Sequence, residues 1–208
     1  MENKRVEGAT RSEALRAMAD EALMGQLQSG VEEALEILVE RYSERLSYYL
    51  HRFVKDGDKV QDLLQETFLR VYRNRHAYEP IAKFSTWLYT IAGNLARSEY
   101  RRRKRQRTYS LHAQSREGED YELPIPADTI APSRHAERSI HQRAIQRALG
   151  ELPEDFREVV VLRDIQQLSY EEIASITGLP LGTVKSRINR GRSRLQEMLK
   201  DVYSREPA

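Results

Sequence analysis

The 208 residues, 32% of them charged and 39% apolar, suffice for one large domain or two small ones; sparse glycine and proline and few β-branched runs exclude a sheet-rich fold and point to an all-α chain. Cysteine is absent, which excludes disulfides and Cys-based metal sites; no apolar run approaches the ~20 residues that cross a bilayer, and no signal-peptide pattern opens the chain, so a cytoplasmic protein that is not integral to a membrane is expected. The formal net charge of +2 says little about partners, but its distribution along the chain says more.

Residues 1–11 carry no usable pattern and are expected to be a disordered extension. One helix is predicted from about residue 12 to 28, stopped by Ser29-Gly30. In the next, Leu35, Leu38, Tyr42, Leu46, Tyr49 and Phe53 recur at three- and four-residue steps, a stripe that faces a core. Asp56-Gly57-Asp58 breaks it. A third helix, about 59–74, is expected to turn Leu64, Phe68, Val71 and Tyr72 inward. A loop, 76–85, carries Pro80. A fourth helix runs from Thr86 into an arginine run, burying Leu88, Ile91, Ala92 and Leu95. Residues 12–105 can share one core.

From 106 to 134 periodicity disappears: Glu117, Glu119, Asp120 and Glu122 mix with Pro124, Pro126 and Pro132, as in a flexible linker. Helical pattern resumes near His135 and defines a second block, 135–203. Pro153 with Glu154 and Asp155 is a helix-start signal, since proline fits the first turn and acids complement the positive helix end. Ser169-Tyr-Glu-Glu172 is a capping box. It opens a short helix with Ile173, Ala174 and Ile176; Gly178 supplies a tight turn, and another helix begins near Leu181. Ala174, Gly178 and Val184 have helix-turn-helix spacing. Val184, Ile188, Gly191 and Leu195 form the inward face of the last helix. Lys185, Ser186, Asn189, Arg190 and Arg192 lie away from it, and such groups read base edges and grip phosphates.

Between Leu95 and Arg107 seven basic residues stand against Glu99, and between Thr183 and Lys200 six stand against Glu197. Two basic clusters, each ending an amphipathic helix, predict two contacts with a polyanion. In the N-terminal block Asp62, Gln65, Glu66 and Leu69 lie at i, i+3, i+4 and i+7, a docking edge suited to a basic protein helix. Asn94, Arg97, Ser98, Arg101 and Arg105 line up opposite the apolar face of the fourth helix and could follow a nucleic-acid strand. Tyr78, Phe84, Trp87 and Tyr89 surround the preceding loop. Phe84, Trp87 and Tyr89 are expected in the core, and Tyr78, on the loop itself, is the candidate for contact with an unstacked base.

Asp62-Leu-Leu-Gln-Glu-Thr-Phe-Leu-Arg-Val-Tyr72 and Phe84-Ser-Thr-Trp-Leu-Tyr-Thr-Ile-Ala-Gly-Asn94 resemble sigma regions 2.2 to 2.4. Leu152-Pro-Glu-Asp-Phe-Arg157, Leu168-Ser-Tyr-Glu-Glu-Ile-Ala174 and Gly182-Thr-Val-Lys-Ser-Arg187 resemble region 4. Together they are similar to the extracytoplasmic-function (ECF, group IV) sigma factors of the sigma-70 type. The resemblance implies a sigma region 2 bundle over 12–105 and a sigma region 4 helix-turn-helix over 135–203. It also implies a partner, core RNA polymerase. Asp62, Gln65, Glu66 and Leu69 would dock on its β′ clamp helices, with the β flap as a further contact. Tyr78, Lys83, Asn94, Arg97, Ser98 and Arg101 would meet the −10 element of promoter DNA, with a base flipped into the 76–85 loop. Arg163, Thr183, Lys185, Ser186, Arg187, Asn189 and Arg190 would meet the −35 element. An anti-sigma factor is the expected regulator, releasing the protein for a stress or envelope-signal regulon. The chain departs from the family at Glu79-Pro80, where members often carry Arg-Gly.

The mechanism so implied is binding, with the polymerase doing the chemistry and no catalytic residue, metal or cofactor on this chain. A stand-alone dimeric helix-turn-helix regulator would leave the acidic-leucine edge and the loop aromatics without a role. An enzyme acting on nucleic acid finds no support, since His51, His76, His112, His135 and His141 are scattered without metal-ligand spacing and no phosphate-cradling glycine loop is present. Both basic helices argue against a helical adaptor that binds no nucleic acid.

Overall fold

The computed structural model describes residues 12–54, 56–110 and 144–203. The chain divides into two compact units, Met1–Gln114 and Ser115–Ala208. Every regular element among the described residues is helical.

The N-terminal unit contains a short helical segment, 12–16, then α1 (Asp20–Gln28), α2 (Glu33–His51), α3 (Gly57–Arg73), a 3-10 turn (Arg75–Ala77) and α4 (Phe84–Ser110). Helix α2 packs on α1 and α3, and α3 packs on α4. Leu23, Met24 and Leu27 of α1 meet Leu38, Leu46, Tyr49 and Leu50 of α2, Val60, Phe68 and Val71 of α3 and Leu88, Tyr89 and Ala92 of α4 in one core. The 3.6-residue period of these positions is what makes each helix one-sided.

The single helix expected over 12–28 is in fact broken at 17–19, and Ala19 adopts extended backbone. The cause lies in the next helix. The Arg41 guanidinium donates to the carbonyls of Arg16 (2.7 Å) and Met18 (2.9 Å) and to Asp20 Oδ1 (2.5 Å), while the Tyr42 hydroxyl donates to the other Asp20 oxygen. Carbonyls that a continuous helix would use internally are thus satisfied by a side chain from α2.

Ser29-Gly30 does stop α1, with Gly30 at φ +92°. Asp56 also does more than break α2: its side chain caps α3 by accepting from Lys59 N at 3.2 Å. Helix α4 extends to Ser110, beyond the expected end at 105. The remainder of the expected linker, 111–134, and the extension 1–11 lie outside the described residues.

The C-terminal unit has α5 (144–151), α6 (Glu154–Val160), a π-helical turn (Val161–Ile165), α7 (Tyr170–Thr177) and α8 (Leu181–Tyr203). Pro153 stands at the N-cap of α6, one place earlier than a first-turn proline. Four successive residues, Val159 to Leu162, are buried. A segment enclosed on all sides has no polar face, so the valine triplet shows no helical period in sequence. The capping box is present: Glu172 N donates to Ser169 Oγ at 3.1 Å and Ser169 N to Glu172 Oε2 at 2.7 Å. Gly178 ends α7 in left-handed backbone, φ +70°, a conformation that glycine adopts without a Cβ penalty.

Candidate nucleic-acid and protein-docking surfaces

On α3, Asp62, Gln65 and Leu69 are exposed and Glu66 is half-exposed. Asp62 pairs with Lys59 at 2.9 Å and Glu66 with Arg70 at 2.7 Å, both within the helix. Pairs this exposed contribute little to stability, so either acid can exchange its partner for a cation on another protein at small cost. Beside this edge an open groove of about 660 Å³ runs between α2 and α3. Its apolar lining includes Leu35, Val39, Leu64, Phe68, Leu69 and Tyr72. Leu35, Leu64 and Tyr72 are therefore not the fully buried core positions that periodicity suggested; they are half-buried walls of the groove. Within the core their places are taken by Ile37, Leu63 and Thr67.

The loop before α4 turns its tyrosine inward. Tyr78 is only 5% exposed. Its ring lies 5.3 Å from Trp87 and 6.2 Å from Phe84, and its hydroxyl donates to Ala82 O at 2.8 Å. Burial, together with the nearby Glu21 and Asp20 carboxylates, pushes the Tyr78 hydroxyl up to about 12. Packed against two aromatics and bonded to Ala82 O, the Tyr78 ring anchors the loop. The pattern could not reveal this, because a lone loop tyrosine has no period. Of the aromatics expected in the core, Phe84 and Tyr89 are buried, whereas Trp87 is half-exposed.

On α4, Asn94, Ser98, Arg101 and Arg105 are exposed and Arg97 is half-exposed. Asn94 Oδ1 accepts from Arg97 Nη2 at 2.8 Å. Lys83, just before the helix, is exposed. Not every arginine of the run faces outward in function. Glu99 is buried and accepts from Arg102 (2.8 Å) and Arg103 (3.0 Å), while Arg103 also reaches Asp56 at 3.1 Å. Hydrogen bonds from Arg102, then Arg103, hold the Glu99 carboxyl down at about 2. Arg103 thereby ties α4 to the start of α3, while Arg102 stays within α4, roles that the charge count alone concealed.

In the C-terminal unit Lys185, Ser186, Asn189 and Arg190 are exposed along α8, Thr183 is half-exposed, and Val184 and Ile188 are buried opposite them. Arg187 stands apart from this face, paired with Asp155 at 3.2 Å. Arg192, expected among the outward residues, is bound to Asp164 of the π turn through both its Nε (3.0 Å) and Nη2. Arg163 donates to Leu168 O at 2.7 Å and lies 4.7 Å over the Tyr170 ring, while Lys185 Nζ lies 5.7 Å from the same ring. Tyr170 thus holds two of the expected −35 cations by cation–π contact. Sequence reasoning missed it, although its place inside the capping box, beside the turn, was visible. Among the described residues no group of His, Asp and Glu is arranged to hold a metal ion.

Comparison with known proteins agrees with this geometry. Residues 38–106 match Sigma-70 region 2 and residues 142–195 match Sigma-70, region 4. The ECF RNA polymerase sigma factor SigW of Bacillus subtilis (strain 168) is 33% identical over 177 residues, covering 85% of this chain and 95% of that one. The ECF RNA polymerase sigma-E factor of Escherichia coli (strain K12) is 34% identical over 189 residues, covering 90% and 98%. Among solved structures, the sigma factor RpoE of Bartonella quintana, in complex with the anti-sigma factor NepR, superposes with a TM-score of 0.64 at 27% identity, over 79% of this chain and 96% of that one. CnrH, in complex with the cytosolic domain of CnrY, gives 0.64 at 26%, over 88% and 99%. With regions 2 and 4 in order and relatives matched along almost their whole length, the chain belongs to the ECF RNA polymerase sigma factors of the sigma-70 type, DNA-binding transcription initiation factors rather than enzymes.

Proposed function

We propose that the two units divide promoter recognition between them. The observation that carries this reading is the pairing, on one chain, of an exposed acidic-leucine edge beside an apolar groove with two outward faces of amide, hydroxyl and guanidinium groups. Asp62, Gln65, Glu66 and Leu69 dock on the β′ clamp helices of core polymerase, and the second unit reaches the β flap. Lys83, Asn94, Arg97, Ser98 and Arg101 meet the melted −10 strand. Thr183, Lys185, Ser186, Asn189 and Arg190 enter the major groove at −35, with Arg163 and Arg187 as flanking phosphate clamps. Residues 12–105 and 135–203 are the working domains, and 106–134 connects them.

Two solved relatives are complexes, one of a sigma factor with an anti-sigma factor and one of CnrH with the cytosolic domain of CnrY. By that likeness this chain is held inactive in the cytoplasm, at the inner face of the membrane, by an anti-sigma factor until a stress or envelope signal arrives. None of the described helices is long and apolar enough to cross a membrane.

Run-off transcription from a randomised promoter library, with core polymerase and with or without the protein, tests the reading. Transcripts that require the protein and disappear in the Asp62→Lys, Glu66→Lys double variant are expected. No stimulation, alongside tight duplex binding by the protein alone, refutes it in favour of a stand-alone regulator.

A further inference from the structure

Glu99 is the one acid in the basic stretch between Leu95 and Arg107, and it is buried. A carboxylate taken out of water has to be matched by cations and donors. Arg102 meets it with a fork, Nε to Oε2 and Nη2 to Oε1, both at 2.8 Å. Arg103 Nε adds a bond to Oε1 at 3.0 Å, and Arg103 Nη2 reaches Asp56 at 3.1 Å. Two arginines and two carboxylates thus cancel inside the run. The partners of the fork differ in exposure: the Glu99 side chain is 8% exposed and that of Arg102 is 52% exposed. The carboxylate is fixed from within, while the guanidinium stands at the surface. Arg102 also follows Ser98 by four residues and precedes Arg105 by three, which makes it their neighbour on the outward row of α4.

We infer that Glu99 is an internal substitute for a phosphate: it occupies the Arg102 fork and so lowers the affinity of α4 for nucleic acid of any sequence. This rests on the strand-facing role proposed for α4. A carboxylate and a phosphate accept a guanidinium in the same bidentate geometry, so one excludes the other. Each phosphate grip adds affinity without sequence information. Withholding one leaves selection to Asn94 and its row, and it reduces the loss of protein to bulk DNA, where competing sites far outnumber promoters. The Glu99 carboxyl is held down at about 2 and stays ionised near neutral pH, so the competition is always present. A tie between α4 and α3 needs only Glu99, Arg103 and Asp56. The second, bidentate partner on the outer side of the run is what such a tie leaves unexplained.

The test measures binding of the full chain to a short random-sequence single strand across a salt series, and to a strand carrying the −10 element selected from the promoter library. Glu99→Gln, which keeps the shape of the side chain, is expected to bind the random strand about fivefold tighter at low salt. Its salt slope should steepen by about 0.7 and its preference for the −10 strand should narrow. Glu99→Asp keeps the charge but shortens the reach to the fork, and should shift affinity in the same direction with net charge unchanged. Arg102→Gln is expected to bind as wild type does when Glu99 is present and to abolish the gain in the Glu99→Gln background. A purely structural Glu99 would alter stability without this dependence on Arg102. An equal loss from Arg102→Gln in both backgrounds would show that Arg102 already grips phosphate and would overturn the inference. Wild-type binding by Glu99→Gln would do the same. If the Arg101→Gln, Arg105→Gln double variant binds both strands as wild type does, α4 faces no nucleic acid, and the strand-facing reading falls together with the inference.

Discussion

Gly191 faces α6 from within α8, and the helix-turn-helix depends on its missing side chain. A Cβ at this position would lie 2.6 Å from Val160 Cγ2 and 3.3 Å from Phe156 Cβ, against an optimum of about 3.5–4.0 Å between carbons. Val160 is buried, and a valine in a helix has essentially one χ1 rotamer, so the methyl cannot swing aside and α8 must shift. Overpacking of this kind costs about 1–3 kcal/mol. Alanine recovers about 1 kcal/mol over glycine through helix propensity. The expected net loss for Gly191→Ala is therefore about 1 kcal/mol, which in a unit of this size lowers the melting temperature by about 4–8 °C. The chain carries its own control: Trp87, its single tryptophan, lies in the other unit. Its fluorescence transition should stay in place while amide exchange in α6 and α8 accelerates. Adding Val160→Ala removes the methyl that clashes, so the double variant should lose less than the two single losses added together. A Gly191→Ala protein that melts higher, or losses that simply add, would refute the close approach of α6 and α8.

Two further outcomes follow from caps and charge. Ser169→Ala removes the capping box of α7 and is expected to cost about 1 kcal/mol, read as faster exchange of the first α7 amides and a lower melting point of that unit; unchanged exchange would contradict the box. The folded carboxyl of Glu99, at about 2, lies below its ordinary value of 4.5, so its stabilisation is complete above 4.5 and drains as the pH falls toward 2. Glu99→Gln should flatten the acid limb of the N-terminal unit within that window, followed by Trp87 fluorescence in denaturant at several pH values. A wild-type acid limb in the variant would mean that Glu99 carries no such linkage.

The parts of the fold that were legible are those whose cause is local. Ser169 and Glu172, Gly178, and the apolar steps of α2 and α8 act within four residues, so their effect is written in order along the chain. The exposed rows Asp62-Gln65-Leu69 and Lys185-Ser186-Asn189 were legible for the same reason: one helical face follows from the period alone. Distant partners decided the rest. A helix predicted to run unbroken over 12–28 is interrupted because Arg41 takes its carbonyls, and no property of residues 12–28 announces that.

The site divides in the same way. Residue types and their spacing determined an all-α chain with two basic helices, an exposed acidic-leucine edge and a helix-turn-helix. Only tertiary structure decided which members of those rows are available. It committed Arg102 and Arg103 to Glu99 and Arg192 to Asp164, and it buried Tyr78 while leaving Ile81 exposed. A periodic pattern specifies the direction in which a side chain leaves its own backbone, whereas its partner is set by whichever group another helix brings within hydrogen-bonding or van der Waals reach.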